Sequence, residues 1–250
     1  MNPKGIGAII LYVLLGLVIL VVILGVPLWM NIHEGVAYKC CSGDRVYVVP
    51  IPRLPKGDVS ELIRDIKATG DVMNKRTSLN SAQGKKLSYK KLPRRIKDFY
   101  ETESLRQSVS TAVGKQLFFA PSDDKDRIFA RLYEDEGDFL DWHFDSNFSS
   151  GEKYTLSVPV LVDDGNTSEM IVRDGQTVKK TIKVPLGSGC IFNGSSIYHK
   201  ITPQTPPGKR LAIIIPFYTV QHTSWIGKLR RDTRDFTQQI VKLKAGANQC

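Results

Sequence analysis

Residues 141–145 read Asp-Trp-His-Phe-Asp, and residues 198–215 read Tyr-His-Lys-Ile-Thr-Pro-Gln-Thr-Pro-Pro-Gly-Lys-Arg-Leu-Ala-Ile-Ile-Ile. In the first stretch His143 and Asp145 stand two apart, so on an extended strand both side chains leave the same face and can bind one ion. In the second, His199 lies on the return path after a short strand predicted at Cys190 to Asn193 and offers a second imidazole. Two His and one carboxylate form the facial set of a non-heme Fe(II) centre, which leaves three positions open. Arg210 heads the apolar run 211–215. A guanidinium entering a barrel interior needs an anionic partner, because an unpaired buried charge is costly. A ligand carboxylate meets that need through bidentate bonds.

Around these residues the texture is that of short strands. Runs at Arg127 to Tyr133, Tyr154 to Val162, Ser168 to Val172, Thr177 to Val184, Cys190 to Asn193 and Arg210 to Thr219 are separated by Gly, Asp, Asn and Pro, as in an all-β sandwich or barrel. Upstream, Asp58 and Glu61 resemble a capping box for a helix over Val59 to Ala68, stopped by Gly70. A second helical region starts at Pro93 and runs with a break through Phe99, Leu105, Val109 and Val113 to Gly114. Ser224 to Lys244 reads as a closing amphipathic helix. The fold class is therefore mainly β with flanking α: a jelly roll with N-terminal helical support and one N-terminal transmembrane helix. The boundaries are 1–5 tail, 6–30 anchor, 31–57 stalk with one short strand at Arg45 to Val49, 58–121 helical support, 122–222 jelly roll and 223–250 C-terminal helix.

A longer pattern carries a resemblance. Tyr133 stands ten residues before His143; His-Phe-Asp follows at 143–145; Val184-Pro185-Leu186-Gly187 leads to Ile191-Phe192; then come His199 and Gly208-Lys209-Arg210. Over roughly Ile128 to Tyr218 the chain resembles the Fe(II)/2-oxoglutarate-dependent dioxygenases, and within them the prolyl 4-hydroxylase-like group. The resemblance implies a double-stranded β-helix in which His143, Asp145 and His199 hold iron and Arg210 pairs with the distal carboxylate of 2-oxoglutarate. Tyr133 would hydrogen-bond the same carboxylate. It further implies 2-oxoglutarate and O2 as co-substrates, succinate and CO2 as co-products, hydroxylation of a substrate, and ascorbate as reductant. There are departures. The collagen-type enzymes place Lys where Arg210 stands, and Gly151-Glu152-Lys153-Tyr154-Thr155 lacks the fuller motif of that group, so peptidyl proline is one candidate substrate beside a lipid or a small molecule. Pro216 occupies the position where a nucleic-acid demethylase would carry a further Arg, and Asp145 stands where the halogenating branch has Gly or Ala.

The rest of the chain locates this chemistry. Of 250 residues 42% are apolar, and no residue from Gly5 to Met30 is charged. Residues 6–30 would span about 38 Å as a helix, against a hydrocarbon core of about 30 Å. They are too long and lack the small-residue cleavage site of a signal peptide. A single-pass, membrane-anchored protein is expected. Lys4 on one side and Lys39 and Arg45 on the other do not orient it. Sequons at Asn147, Asn166 and Asn193 favour an extracytoplasmic or ER-lumenal catalytic domain. The net charge of +10 is concentrated between Asn74 and Lys97, which holds nine Lys or Arg and no acid. That stretch reads as a solvated face and loop, as a surface for anionic lipid, or as a site for an acidic polymer or protein substrate. Nucleic acid is disfavoured, since Tyr89 is its only aromatic. Plainer readings stand beside the sharp ones: His143 with Asp145 as an exposed turn pair, His199 as a strand-end histidine, Arg210 paired to a surface acid, Tyr133 as core, and Trp142 and Phe144 as pocket wall or packing. At the level of the whole protein the rivals are a membrane-tethered, non-catalytic jelly-roll interaction module and a cupin-type metalloenzyme that does not use 2-oxoglutarate.

Overall fold

The computed structural model describes residues 46–76, 81–147, 149, 151–174, 178–221, 227–229 and 232. The chain divides into a body, Lys39–Ser224, and a second unit composed of Met1–Tyr38 and Trp225–Cys250. The expected anchor at 6–30 and most of the helix expected at 224–244 lie outside the described residues; of the second unit only 227–229 and 232 are described, and they are helical. Among the described residues no helix is long and apolar enough to cross a membrane.

Within the body the order is β1 (Tyr47–Pro50), α1 (Lys56–Thr69), β2 (Asp71–Arg76), β3 (Ser81–Leu87), α2 (Arg94–Tyr100), α3 (Glu103–Val113), β4 (Phe118–Phe119), β5 (Phe129–Tyr133), β6 (Phe139–His143), β7 (Lys153–Val162), β8 (Met170–Asp174), β9 (Val178–Ile182), β10 (Ser188–Asn193), β11 (Tyr198–Ile201) and β12 (Arg210–Tyr218). The six strand runs expected after Pro121 are all present, as β5, β7, β8, β9, β10 and β12. The two helical regions form three helices. α1 starts earlier than the expected capping box, after Pro55, and Asp58 pairs with Arg95 of α2 at 2.9 Å instead of capping. Val59, Leu62 and Ile66 recur at helical spacing and are its buried face. The break between α2 and α3 falls at Glu101 and Thr102, where the Thr102 hydroxyl accepts the Leu105 N–H at 3.2 Å as a cap.

All strand pairings are antiparallel, in the order β1-β10-β7-β12-β5-β3-β6-β11-β8-β9, with β2 on β3 and β4 on β12. The sheet curls into two facing layers, and β3 belongs to both: Lys85–Leu87 pair with β5, while Ala82 and Gln83 pair with β6. Between them Gly84 has φ 133, and a Cβ there would stand 2.9 Å from the Leu132 carbonyl oxygen. Only glycine takes that conformation without strain, so the strand turns from one layer to the other there.

Period-2 alternation separates two apolar clusters. On β12, Leu211, Ile213, Ile215 and Phe217 face the helices with Leu62, Ile66, Ile96, Val109, Leu132 and Leu156. The opposite face of the same strand, Arg210, Ala212 and Ile214, looks into the space between the layers, near Tyr133, Leu140, Met170, Phe192 and Ile201. The fold is thus helices on one sheet and a second sheet closing over the far face, the jelly roll expected from the strand pattern.

The region upstream of residue 122 is more than a support. β1, β2, β3 and β4 all join the sheet, and the basic stretch read as a solvated face and loop supplies the end of β2, all of β3 and the start of α2. Three of its lysines pair with acids, two of them with the acidic segment that follows. Lys85 pairs with Glu134 at 3.1 Å and Asp135 at 3.6 Å, Lys86 with Asp126 at 2.5 Å, and Lys91 with Asp71 at 3.3 Å.

Candidate metal centre

His143 closes β6 and His199 lies on β11, and the two are direct cross-strand partners with ring centroids 4.1 Å apart. Asp145 follows in the loop after β6. His143 Nε2 lies 3.6 Å and His199 Nε2 3.9 Å from Asp145 Oδ1. One donor atom from each residue falls within 4.8 Å of the others. The two-residue spacing of His143 and Asp145 and the return of the chain at His199 therefore bring together the three residues that the sequence pattern singled out.

Each ligand is oriented by a neighbour. The Nδ1 atoms of His143 and His199 lie 2.8 Å from the Asp141 carbonyl oxygen and 2.9 Å from the Ile197 carbonyl oxygen. A carbonyl can only accept, so both imidazoles carry a proton on Nδ1 and turn Nε2 inward. The Thr155 hydroxyl donates to Asp145 Oδ2, and the Asp145 N–H donates to the Gly194 carbonyl at 2.7 Å. A Cβ at Gly194 would collide with Asp145 Oδ2 and stand 2.6 Å from the Thr155 hydroxyl; the turn after β10 must be glycine to approach so closely.

Charge is matched to metal binding. Burial opposes ionisation of Asp145, but the opposing pull, led by the Lys153 ammonium, outweighs it and holds the carboxyl well below the usual range. Burial, with the neighbouring His143, pushes His199 down to about 3. At neutral pH the site presents a carboxylate and, at His199, a neutral imidazole. Metal–N and metal–O bonds of about 2.0–2.2 Å put adjacent donors about 3 Å apart, so a small contraction around an ion satisfies all three. The donor set fits Fe(II).

Arg210, at the head of β12, points into the same cavity and is buried at 8% exposure. Among the described residues no acid pairs with it. Burial lowers its pKa and Arg131 adds to the shift. Tyr133 lies opposite it on β5, buried, with the guanidinium carbon 5.7 Å from the ring centre. Trp142 and Phe144, alternating with His143, pack instead on Tyr198, at 5.3 and 4.9 Å between ring centroids. Neither lines the cavity. Three residues of the site escaped the sequence pattern. Thr155 and Gly194 act through approaches made only on folding, whereas Arg131 could have been found, because alternation along β5 puts Phe129, Arg131 and Tyr133 on one face.

No protein-family model matches the sequence, and no curated protein is similar to it. Solved structures are. The chain is similar to the non-heme alpha ketoglutarate dependent epimerase SnoN from nogalamycin biosynthesis, at 15% identity and TM-score 0.53 over 70% of this chain and 76% of that one. It is similar to an oxidoreductase of the 2OG-Fe(II) oxygenase family from Burkholderia pseudomallei, at 9% identity and TM-score 0.52 over 72% and 88%. At such identities the likeness is one of architecture. The chain has the double-stranded β-helix fold of the 2OG-Fe(II) oxygenases, with a His-Asp-His group inside it that can hold one metal ion.

Proposed function

We propose that the protein is a membrane-anchored Fe(II)/2-oxoglutarate-dependent dioxygenase that hydroxylates its substrate and releases succinate and CO2. The observation that carries this reading is a metal-ready triad sharing one cavity with an arginine that has no acidic partner among the described residues. His143, Asp145 and His199 would hold Fe(II), which with 2-oxoglutarate and O2 supplies oxidative decarboxylation and hydrogen abstraction from the substrate. The protein's residues do the rest. Carbonyls at Asp141 and Ile197 keep the imidazole Nε2 atoms aimed inward. Asp145 offsets one positive charge of the metal, and Thr155 holds its other oxygen. Arg210 would neutralise the distal carboxylate of 2-oxoglutarate, with the Tyr133 hydroxyl beside it. Leu140, Phe192, Ile201 and Ile214 line the cavity and exclude water.

The uncharged segment 6–30 supports a single-pass anchor, and the three sequons support an extracytoplasmic or lumenal active site. With many lysines of the basic stretch paired internally, attachment rests chiefly on that segment. Purified full-length protein with Fe(II), O2 and 2-oxoglutarate should release succinate, and His143→Ala should stop it. Turnover without iron would favour another chemistry, and binding of Fe(II) with no 2-oxoglutarate turnover by any preparation would favour the non-catalytic module. Protease protection of intact membranes reads the side on which His143 lies.

A further inference from the structure

Arg131 is a second guanidinium in the cavity, and no role given so far uses it. It lies on the inner face of β5 between Phe129 and Tyr133, and lines the same space as Arg210 and the triad. Its Nε is buried with no hydrogen-bond partner, and its guanidinium carbon stands 5.3 Å from the Phe129 ring centre. Among the described residues neither Arg131 nor Arg210 is paired with an acid. The cavity's single carboxylate, Asp145, is committed to Thr155 through one oxygen and faces the two imidazoles with the other. Two cations sharing a largely apolar space without an anion of their own are costly unless a ligand brings the charge.

Strand register orders these groups along the barrel. On β12, Arg210 is opposite Tyr133 and Val162, Ala212 is opposite Arg131, and Pro216 is opposite Thr155, the residue that holds Asp145. Arg131 therefore stands one inward-facing step from Arg210 toward the metal, about 7 Å at about 3.4 Å per residue.

We infer that Arg131 and Arg210 form a two-point clamp for a dicarboxylate, Arg210 taking the carboxylate far from the metal and Arg131 the one beside it. This rests on the 2-oxoglutarate reading and adds a residue to it. The clamp selects a short diacid by the spacing of its ends, and it keeps one grip on any 2-oxo acid that lacks the far carboxylate.

The test is calorimetric titration of the full-length protein loaded with Mn(II), using 2-oxoglutarate and 2-oxopentanoate, which retains the metal-side carboxylate alone. Arg131→Met should weaken both ligands by the same factor, about tenfold to a hundredfold for loss of a charge-assisted bond. Arg210→Met should weaken 2-oxoglutarate and leave 2-oxopentanoate unchanged. Arg131→Lys, closer in size and charge, should lose less for both ligands and carries the same comparison if the Met variant does not fold. Wild-type affinity of the Arg131 variants for 2-oxopentanoate, whether or not 2-oxoglutarate binding drops, overturns the clamp while leaving the dioxygenase reading intact. Failure of the wild-type protein to bind either acid overturns the reading and the clamp together.

Discussion

Thr155 donates its hydroxyl hydrogen to Asp145 Oδ2, so that Oδ1 is the oxygen left facing His143 and His199. The carboxylate is thereby oriented before any metal arrives. Thr155→Val keeps the side chain's shape and removes the donor. Iron affinity should fall about tenfold to a hundredfold, the usual effect of losing a group that orients a ligand, measured by Fe(II) titration under anaerobic conditions.

Gly194 is the counterpart on the backbone side. Gly194→Ala places a methyl against Asp145 Oδ2 and the Thr155 hydroxyl, which must move apart. Overpacking of this kind costs about 1–3 kcal/mol. Thermal unfolding should show the loss of stability, and metal binding should weaken by more than in Thr155→Val.

His199 gives the metal-free protein a defined acid response. Its folded pKa is about 3, below the unfolded value of about 6.5. Between those limits the unfolded chain binds a proton that the folded chain refuses, so stability is intact above the upper limit and falls as pH drops toward the lower one. The slope approaches about 1.4 kcal/mol per pH unit. Denaturant unfolding of apo protein across that window should show it, and His199→Gln should flatten it.

Glu134 accepts Lys67 at 2.8 Å and Lys85 at 3.1 Å with its side chain 7% exposed. Both lysines hold its carboxyl below the usual range against the opposing effect of burial. Glu134→Gln should destabilise the fold by about 1–3 kcal/mol, because Lys67 loses its carboxylate and Lys85 keeps only the longer contact to Asp135. The midpoint of urea unfolding is the readout.

Tyr100 is buried in the helix-facing core and its hydroxyl has no hydrogen-bond partner among the described residues. Burial drives its pKa well above the usual value. Tyr100→Phe removes an unsatisfied polar atom and should leave stability unchanged or raise it by about 1 kcal/mol, seen as a higher melting temperature.

Much of the site was legible because strand geometry links spacing to direction. His143 and Asp145 share a face by their separation of two, and Arg210 betrays itself as a charge at the head of an apolar run. Six of the eight strands from Phe129 onward announce themselves by β-branched runs and turn residues, whereas Phe139–His143 and Tyr198–Ile201, the short strands that carry the two histidines, do not stand out as runs. Nor does the β2–β3 hairpin. Ser81-Ala82-Gln83-Gly84-Lys85-Lys86-Leu87 has too few apolar residues to alternate, and what holds it are acids 40 and 49 residues further along the chain. Such long-range neutralisation has no local sign, so a sheet strand looked like a charged surface. Thr155 and Gly194 were hidden for a related reason: each matters through an atom brought near by folding.

The double membership of β3 bears on how the chain is made. During synthesis the strand leaves the ribosome before β5 and β6, its partners on either side of Gly84. Until they arrive the edge that β2 does not cover stays open, the template on which chains aggregate. Lys85 and Lys86, which end up neutralised inside the finished sheet, meanwhile act as guards: an uncompensated pair of ammonium groups discourages another nascent chain from docking, and only the protein's own acids, arriving in order, dismiss them.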